Sequence, residues 1–371
     1  MSRRIVRNLS LVAVIFCLAI GSSLVGSANA ATNVFLGLES GLQALNYDNG
    51  SYTVGGKEGR TGITAVEVNH NGHIITGDTA LNRITSWSYA PGQSGTGFKD
   101  EAFYGSGAVN DLAIAPNGDI LAMMSGPDWV ARYTYGGQHG LTDSNTMGWD
   151  QPSNLTVGLD GNVIMGNVQH QWLSHAGNEL QELDWHAHNF GWDRDANGKQ
   201  GKITTAADGS FWLAAKKMNW VVRGTHQTDT GGTHQMESYT SLGGVDDLKG
   251  RSDGYVFTVG TEHNWVAAWK NDEATNQIGI VKTAGHDYGE TMMAIDEEGT
   301  IHLASPDGVV AADEFDVAAN SFGRVGMITL DLAGGDQVNA MGAYHNVGIP
   351  EPSTLVLLGL GLVLGVIRRR R

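Results

Sequence analysis

Sulfhydryl chemistry is all but missing from this chain: Cys17 is its one cysteine, and it lies inside an N-terminal apolar run. Nothing downstream can form a disulfide or present a thiolate, so stability has to come from buried apolar surface. Basic residues are scarce as well. Lys and Arg number 23 against 39 Asp and Glu, and Arg3, Arg4, Arg7 and Arg368 to Arg371 all sit at the two ends. Without those terminal arginines the balance is 16 against 39, or −23. A body this acidic repels nucleic acid and anionic membrane surfaces at long range, which leaves cations and neutral sugars as easier partners. Also missing are a Gly-x-Ser-x-Gly elbow, a Walker glycine loop and any Cys motif, and the scattered His226, His234, His263 and His286 have no nucleophile to serve.

What is present begins with the ends. A basic stretch, an apolar run from Leu9 to about Leu24 and the small-residue end Ala28-Asn29-Ala30 form the pattern of a secretory signal peptide over residues 1–30, cleaved after Ala30. The other end, "IPEPSTLVLLGLGLVLGVIRRRR", has a 14-residue apolar stretch from Thr354 to Ile367, short for a bilayer span by the usual count. Its four terminal arginines would stay on the cytoplasmic side, as would the N-terminal ones, so the body between lies outside. Pro350 and Pro352 keep the residues before the apolar helix extended and accessible.

This tail, residues 349–371, resembles the PEP-CTERM sorting signal in its "PEPST", its Gly/Leu-rich helix and its arginines. The resemblance implies recognition of Pro350, Glu351 and Pro352 by an exosortase in a Gram-negative envelope. It further implies removal of the transmembrane helix, and delivery to the cell surface or extracellular matrix. Contact with the inner membrane would end when the tail is removed. Such a tail reports an address and no activity.

The body, residues 31–348, is repetitive. Its turns Asn71-Gly72, Asn117-Gly118, Asp160-Gly161, Asp208-Gly209, Asp253-Gly254 and Glu298-Gly299 place successive glycines 46, 43, 48, 45 and 45 residues apart. Six residues before each glycine stand Val66, Leu112, Leu155, Ile203, Leu248 and Met293; two after it stand Ile74, Ile120, Val163, Phe211, Val256 and Ile301. Twelve after it stand Ile84, Val130, Leu173, Val221, Val266 and Ala311, so every aligned position is apolar in a chain that is 41% apolar overall. Short apolar runs flank each turn as in a hairpin. A unit of this length built from short strands has the size of a four-stranded propeller blade.

"IITGDTALNRITSW", Ile74 to Trp87, resembles an NHL repeat, which places the body in the NHL-like or lyase-like class of all-β propellers. Dividing 318 body residues by the mean repeat of 45.4 gives 7.0. Seven blades are therefore preferred over six, the last being assembled from Asn33 to Gly56 and Arg324 to His345. Strands from both ends would close the ring and leave no open edge.

Candidate site residues follow from the repeat. Asn110-Asp111, Ser153-Asn154 and Asp246-Asp247 stand seven and eight residues before a turn glycine, where the channel-lining strand begins. Oxygen donors at Asn110, Asp111, Asn154, Asp246 and Asp247 would suit calcium or magnesium, or would simply cap strand ends. The stretch "NDLAIAPNG" resembles the strand start at which gluconolactonase-type propellers hold a metal, which implies that role for Asn110 and Asp111. Eleven residues after the turn glycine stand Trp129, Trp172, Trp220 and Trp265, which either pack between blades or stack on sugar rings. Asp184, His186 and His188 alternate in "DWHAHNFGW", a spacing that would suit a transition metal if extended. Together these features predict a non-enzymatic surface protein that binds polysaccharide, another envelope component or a surface protein. The alternative is a divalent-metal-dependent lyase or lactone hydrolase working at the channel mouth.

Overall fold

The computed structural model describes residues 32–343, apart from stretches within connections, the longest being 188–201 and 226–234. Both termini, with Ala30 and Pro350 to Pro352, lie outside the described residues, as do many side chains of blades 3 to 5. Among the described residues no helix is long and apolar enough to cross a membrane.

Among the described residues all secondary structure apart from a 3-10 turn at Ala333–Gly335 is strand, arranged as seven four-stranded antiparallel sheets. Numbered along the chain, the innermost strands of blades 2 to 7 are Ile63–Val68, Ala108–Ile114, Pro152–Val157, Lys202–Thr205, Asp247–Gly250 and Met292–Ile295. Each blade then runs outward through three further strands. Blade 1 takes its inner strand, Val338–Ala343, from the C-terminal end and Thr32–Leu38, Gly41–Asp48 and Ser51–Glu58 from the N-terminal end. The inner strands touch in the order 1, 2, 3, 4, 5, 6, 7 and back to 1, so the ring closes with the preferred blade number and joins its sheet from both ends.

The turns explain the period. All six repeat glycines have φ between 79° and 88°. In blade 3 the Gly118 amide donates to the Ala115 carbonyl and the Ala115 amide to the Asp119 carbonyl, both at 2.8 Å, a type I turn with a glycine bulge. A Cβ on Gly118, Gly209 or Gly254 would meet nothing within 4 Å, so positive φ alone demands glycine there. In blades 3, 5 and 6 the acidic or amide residue before it accepts an amide two residues on, while in blades 2 and 7 Asn69 and Asp296 accept the amide after the glycine. Asp119 N donates to Asn117 Oδ1 at 3.1 Å and Ser210 N to Asp208 Oδ1 at 2.9 Å.

The aligned apolar columns are the core. Each of those residues whose side chain is described is buried, with only Leu173 outside that set. Packing runs between blades: Ala65, Ile75 and Ile84 of blade 2 cluster with Val109, Leu112 and Ile120 of blade 3. Across the closing joint, Val34, Leu36 and Leu45 of blade 1 cluster with Ala294, Ala304 and Val310 of blade 7.

Candidate functional site at the channel mouth

Four of the seven inner strands carry a register shift near their start. One falls between Ile63 and Ala65, others between Val109 and Asp111 and between Pro152 and Asn154, and in blade 1 the pairing skips Asn339. A bulge leaves one residue out of the ladder and re-aims its side chain. At the starts of all seven inner strands, bulged or not, residues open into one cavity of about 570 Å³. The sequence-predicted Asn110, Asp111, Asn154, Asp246 and Asp247 all line it, so the structure brings them together. The same two columns also deliver Thr64, Lys202, Thr291 and Asn339, which the sequence reading passed over.

Two of the aspartates are tied into the framework. Asp111 Oδ2 accepts the Leu155 amide of the next blade at 2.9 Å, and Asp247 Oδ2 accepts the Met293 amide of its next blade at 2.9 Å. Asp247 Oδ1 also accepts the Leu248 amide at 2.9 Å. This is strand-end capping carried from blade to blade, and Thr64 repeats it by donating to the Val109 carbonyl at 2.7 Å. Burial pushes the Asp111 carboxyl upward, against the opposing pull of Lys202, the Leu155 amide and Lys249.

The floor of the cavity was not legible from any motif. Lys249 Nζ of blade 6 meets Glu67 Oε1 of blade 2 at 3.1 Å, with each side chain about a third exposed to the channel (32% and 29%). The Glu67 carboxylate, with help from Asp247 and Asp111, holds this ammonium above the ordinary lysine value despite the cost of burial. In the repeat alignment both residues stand five before the turn glycine, where the other blades carry Ala113, Thr156, Thr204 and Ala294. Charge in a column of small residues was the available signal. Below the pair a second cavity of about 240 Å³ is lined by that same column.

A resident divalent cation fits poorly here. Among the described residues no three His, Cys, Asp or Glu side chains are grouped to hold a metal. Asp247 commits both oxygens to backbone amides, and two ammonium groups share the space. Trp129, Trp172, Trp220 and Trp265 are each the first residue of a third strand, as their shared offset implied. Trp265 is buried beside Trp212 and Trp269 and offers no face to a sugar, while the other three side chains lie outside the described set. Asp184 and His186 lie on the outer strand of blade 4, Glu182–Ala187, with their side chains outside that set, and His188 lies outside the described residues.

The family model for the PEP-CTERM protein-sorting motif matches residues 348–371. The chain ends in a PEP-CTERM sorting motif. That motif implies export to the cell envelope and processing by an exosortase. No curated protein matches the sequence. Among solved structures, the periplasmic gluconolactonase of Pseudomonas aeruginosa is similar over 81% of this chain and 96% of its own, at 12% identity and a TM-score of 0.64. A Bacteroides fragilis protein assigned as a 6-phosphogluconolactonase is similar over 86% and 99%, at 12% identity and a TM-score of 0.67. Virginiamycin B lyase from Staphylococcus aureus is similar over 73% and 85%, at 11% identity and a TM-score of 0.54. At such identities the likeness is one of fold alone, the β-propeller.

Proposed function

We propose that this PEP-CTERM protein is a non-enzymatic binding propeller, held at the cell surface or in the extracellular matrix of a Gram-negative bacterium, whose ligand is a polysaccharide or a similar polyhydroxylated envelope component. One observation carries the reading. The starts of the seven inner strands, four of them bulged, turn amides, hydroxyls, carboxylates and ammonium groups into a single cavity of about 570 Å³. Mixed donors and acceptors of this kind suit sugar hydroxyls, which both give and accept hydrogen bonds. The address supports the same reading, since an envelope-sorted protein meets polysaccharide first.

The test is titration calorimetry of the full-length protein in detergent with polysaccharide from the producing cells. Asn110→Ala and Asn339→Ala should weaken binding without lowering the melting temperature, and an unmutated protein that ignores every envelope polysaccharide would refute the reading. The alternative, a lyase or lactone hydrolase using calcium or magnesium on Asn110, Asp111, Asn154, Asp246 and Asp247, draws on fold likeness and on a donor set in which Asp111 and Asp247 are tied to framework amides.

A further inference from the structure

We infer that the channel-mouth cavity is a dead end that takes the terminus of a sugar chain, uncharged or amine-bearing, and cannot accommodate the middle of one; this rests on the binding reading above. Lys249 and Glu67 come from blades that are not neighbours. Blades 7 and 1 stand between them on one side and blades 3, 4 and 5 on the other. A contact of 3.1 Å between their side chains therefore spans the channel. Both residues, together with Met341 of blade 1, line the cavity above and the cavity below, so they form the partition between the two.

A glycan threading the channel would have to break this pair and leave each charge without its partner. A chain entering from the mouth stops at the floor. The walls above it keep amides at Asn110 and Asn339, which serve hydroxyls of either donor or acceptor sense. Charge then selects among chain ends. Glu67, Asp111, Asp246 and Asp247 face Lys202 and Lys249 in this cavity, an excess of carboxylates over ammonium groups. A uronate end would meet like charge, whereas a hydroxyl or amine end would not.

The experiment titrates the full-length protein in detergent with three probe series of graded length: cello-oligosaccharides, chitosan oligosaccharides and alginate oligosaccharides. Affinity per mole of chain should level off once the cavity is filled. Partial hydrolysis of a binding polymer at constant mass should raise the number of propellers bound in proportion to the new ends. Alginate chains should bind at least about tenfold more weakly than the others. Several propellers bound along one long chain, or binding that follows mass and ignores ends, would overturn the inference while leaving polysaccharide binding intact. Uronate ends that bind as well as neutral ones would overturn its charge selection. Failure of all three series would remove the binding reading and this inference together. The double variant Glu67→Gln with Lys249→Met should make binding dependent on chain length by opening the floor, and if that variant does not fold, hydrolysis with the unmutated protein still decides.

Discussion

Tyr52, in the outer strand of blade 1, meets His302, in the second strand of blade 7, at 2.7 Å from Oη to Nδ1 across 250 residues of sequence. The other ring nitrogen of His302 faces Asp296 Oδ2 at 3.0 Å, and Tyr47 packs edge-on to the imidazole with centroids 5.1 Å apart. His302 is wholly buried, so the relay is closed to substrate and is a structural clasp. It joins strands supplied by the N-terminal end to a blade completed near the C-terminal end. A second clasp lies on the same joint, where Asp336 accepts the Ser40 amide at 3.0 Å and pairs with Lys57 at 3.1 Å.

The clasp makes stability depend on acid pH. Burial is the largest influence on Asp296 and acts upward, yet bonds from His302, the Thr300 amide and Thr32 together hold its carboxyl below the usual carboxylate range. A depressed folded pKa contributes stability that is present above the unfolded value of about 4 and is lost as pH falls through the folded value. Asp296→Asn should therefore lower the urea midpoint at pH 7 and flatten its decline below about pH 4. Tyr52→Phe should cost about 1–3 kcal/mol at neutral pH by leaving a buried ring nitrogen without its hydroxyl. An Asp296→Asn protein with an unchanged acid limb would show that the relay does not carry this linkage.

The turn glycines and apolar columns were legible because φ and burial are demands that every copy of the repeat repeats. Side-chain pairs confined to one or two copies were not. Trp87 donates to Thr76 at 2.9 Å and Trp269 to Thr258 at 2.7 Å, the same offsets in blades 2 and 6, but two copies make no column. Lys249 and Glu67 stand 182 residues apart and meet only because the ring closes. Their convergence follows from blade number and register, which a single repeat unit does not encode. Asp111 and Asp247 were found by their column, although capping and metal binding use the same residue types in the same place.

Those two aspartates separate the readings. Asp247→Ala should cost about 1–3 kcal/mol, because the Met293 amide loses its acceptor. The unmutated protein should show no rise in melting temperature with millimolar calcium or magnesium. A rise that Asp111→Asn with Asp247→Asn abolishes would restore the cation site and the enzymatic alternative with it.

Sorting is tested at the tail. Replacing Pro350, Glu351 and Pro352 with alanines should leave export intact and hold the protein at the inner membrane with its apolar segment attached. The readout is fractionation of producing cells with an antibody against the body, with the retained form larger than the mature one. Normal surface delivery of that variant would contradict processing at this motif.

The tryptophan circle remains to be divided between packing and binding, and Trp265 sets the reference. Its indole is buried among Trp212, Val256 and Trp269, so Trp265→Ala should cost about 3–5 kcal/mol and leave polysaccharide binding unchanged in whatever fraction stays folded. Its Nε1 is buried with no hydrogen-bond partner among the described residues, whereas Trp269 donates to Thr258 at 2.7 Å. Trp265→Phe should therefore cost less than Trp269→Phe, which strands a buried hydroxyl as well as removing volume. At Trp129, Trp172 and Trp220 the same alanine changes discriminate directly. A packed ring lowers the denaturation midpoint as Trp265 does, while a ring that contacts glycan lowers retention on the producer's polysaccharide with the midpoint unchanged. If all four changes destabilise strongly and soluble polysaccharide quenches no tryptophan fluorescence, the circle is core throughout, and binding depends on the channel mouth alone.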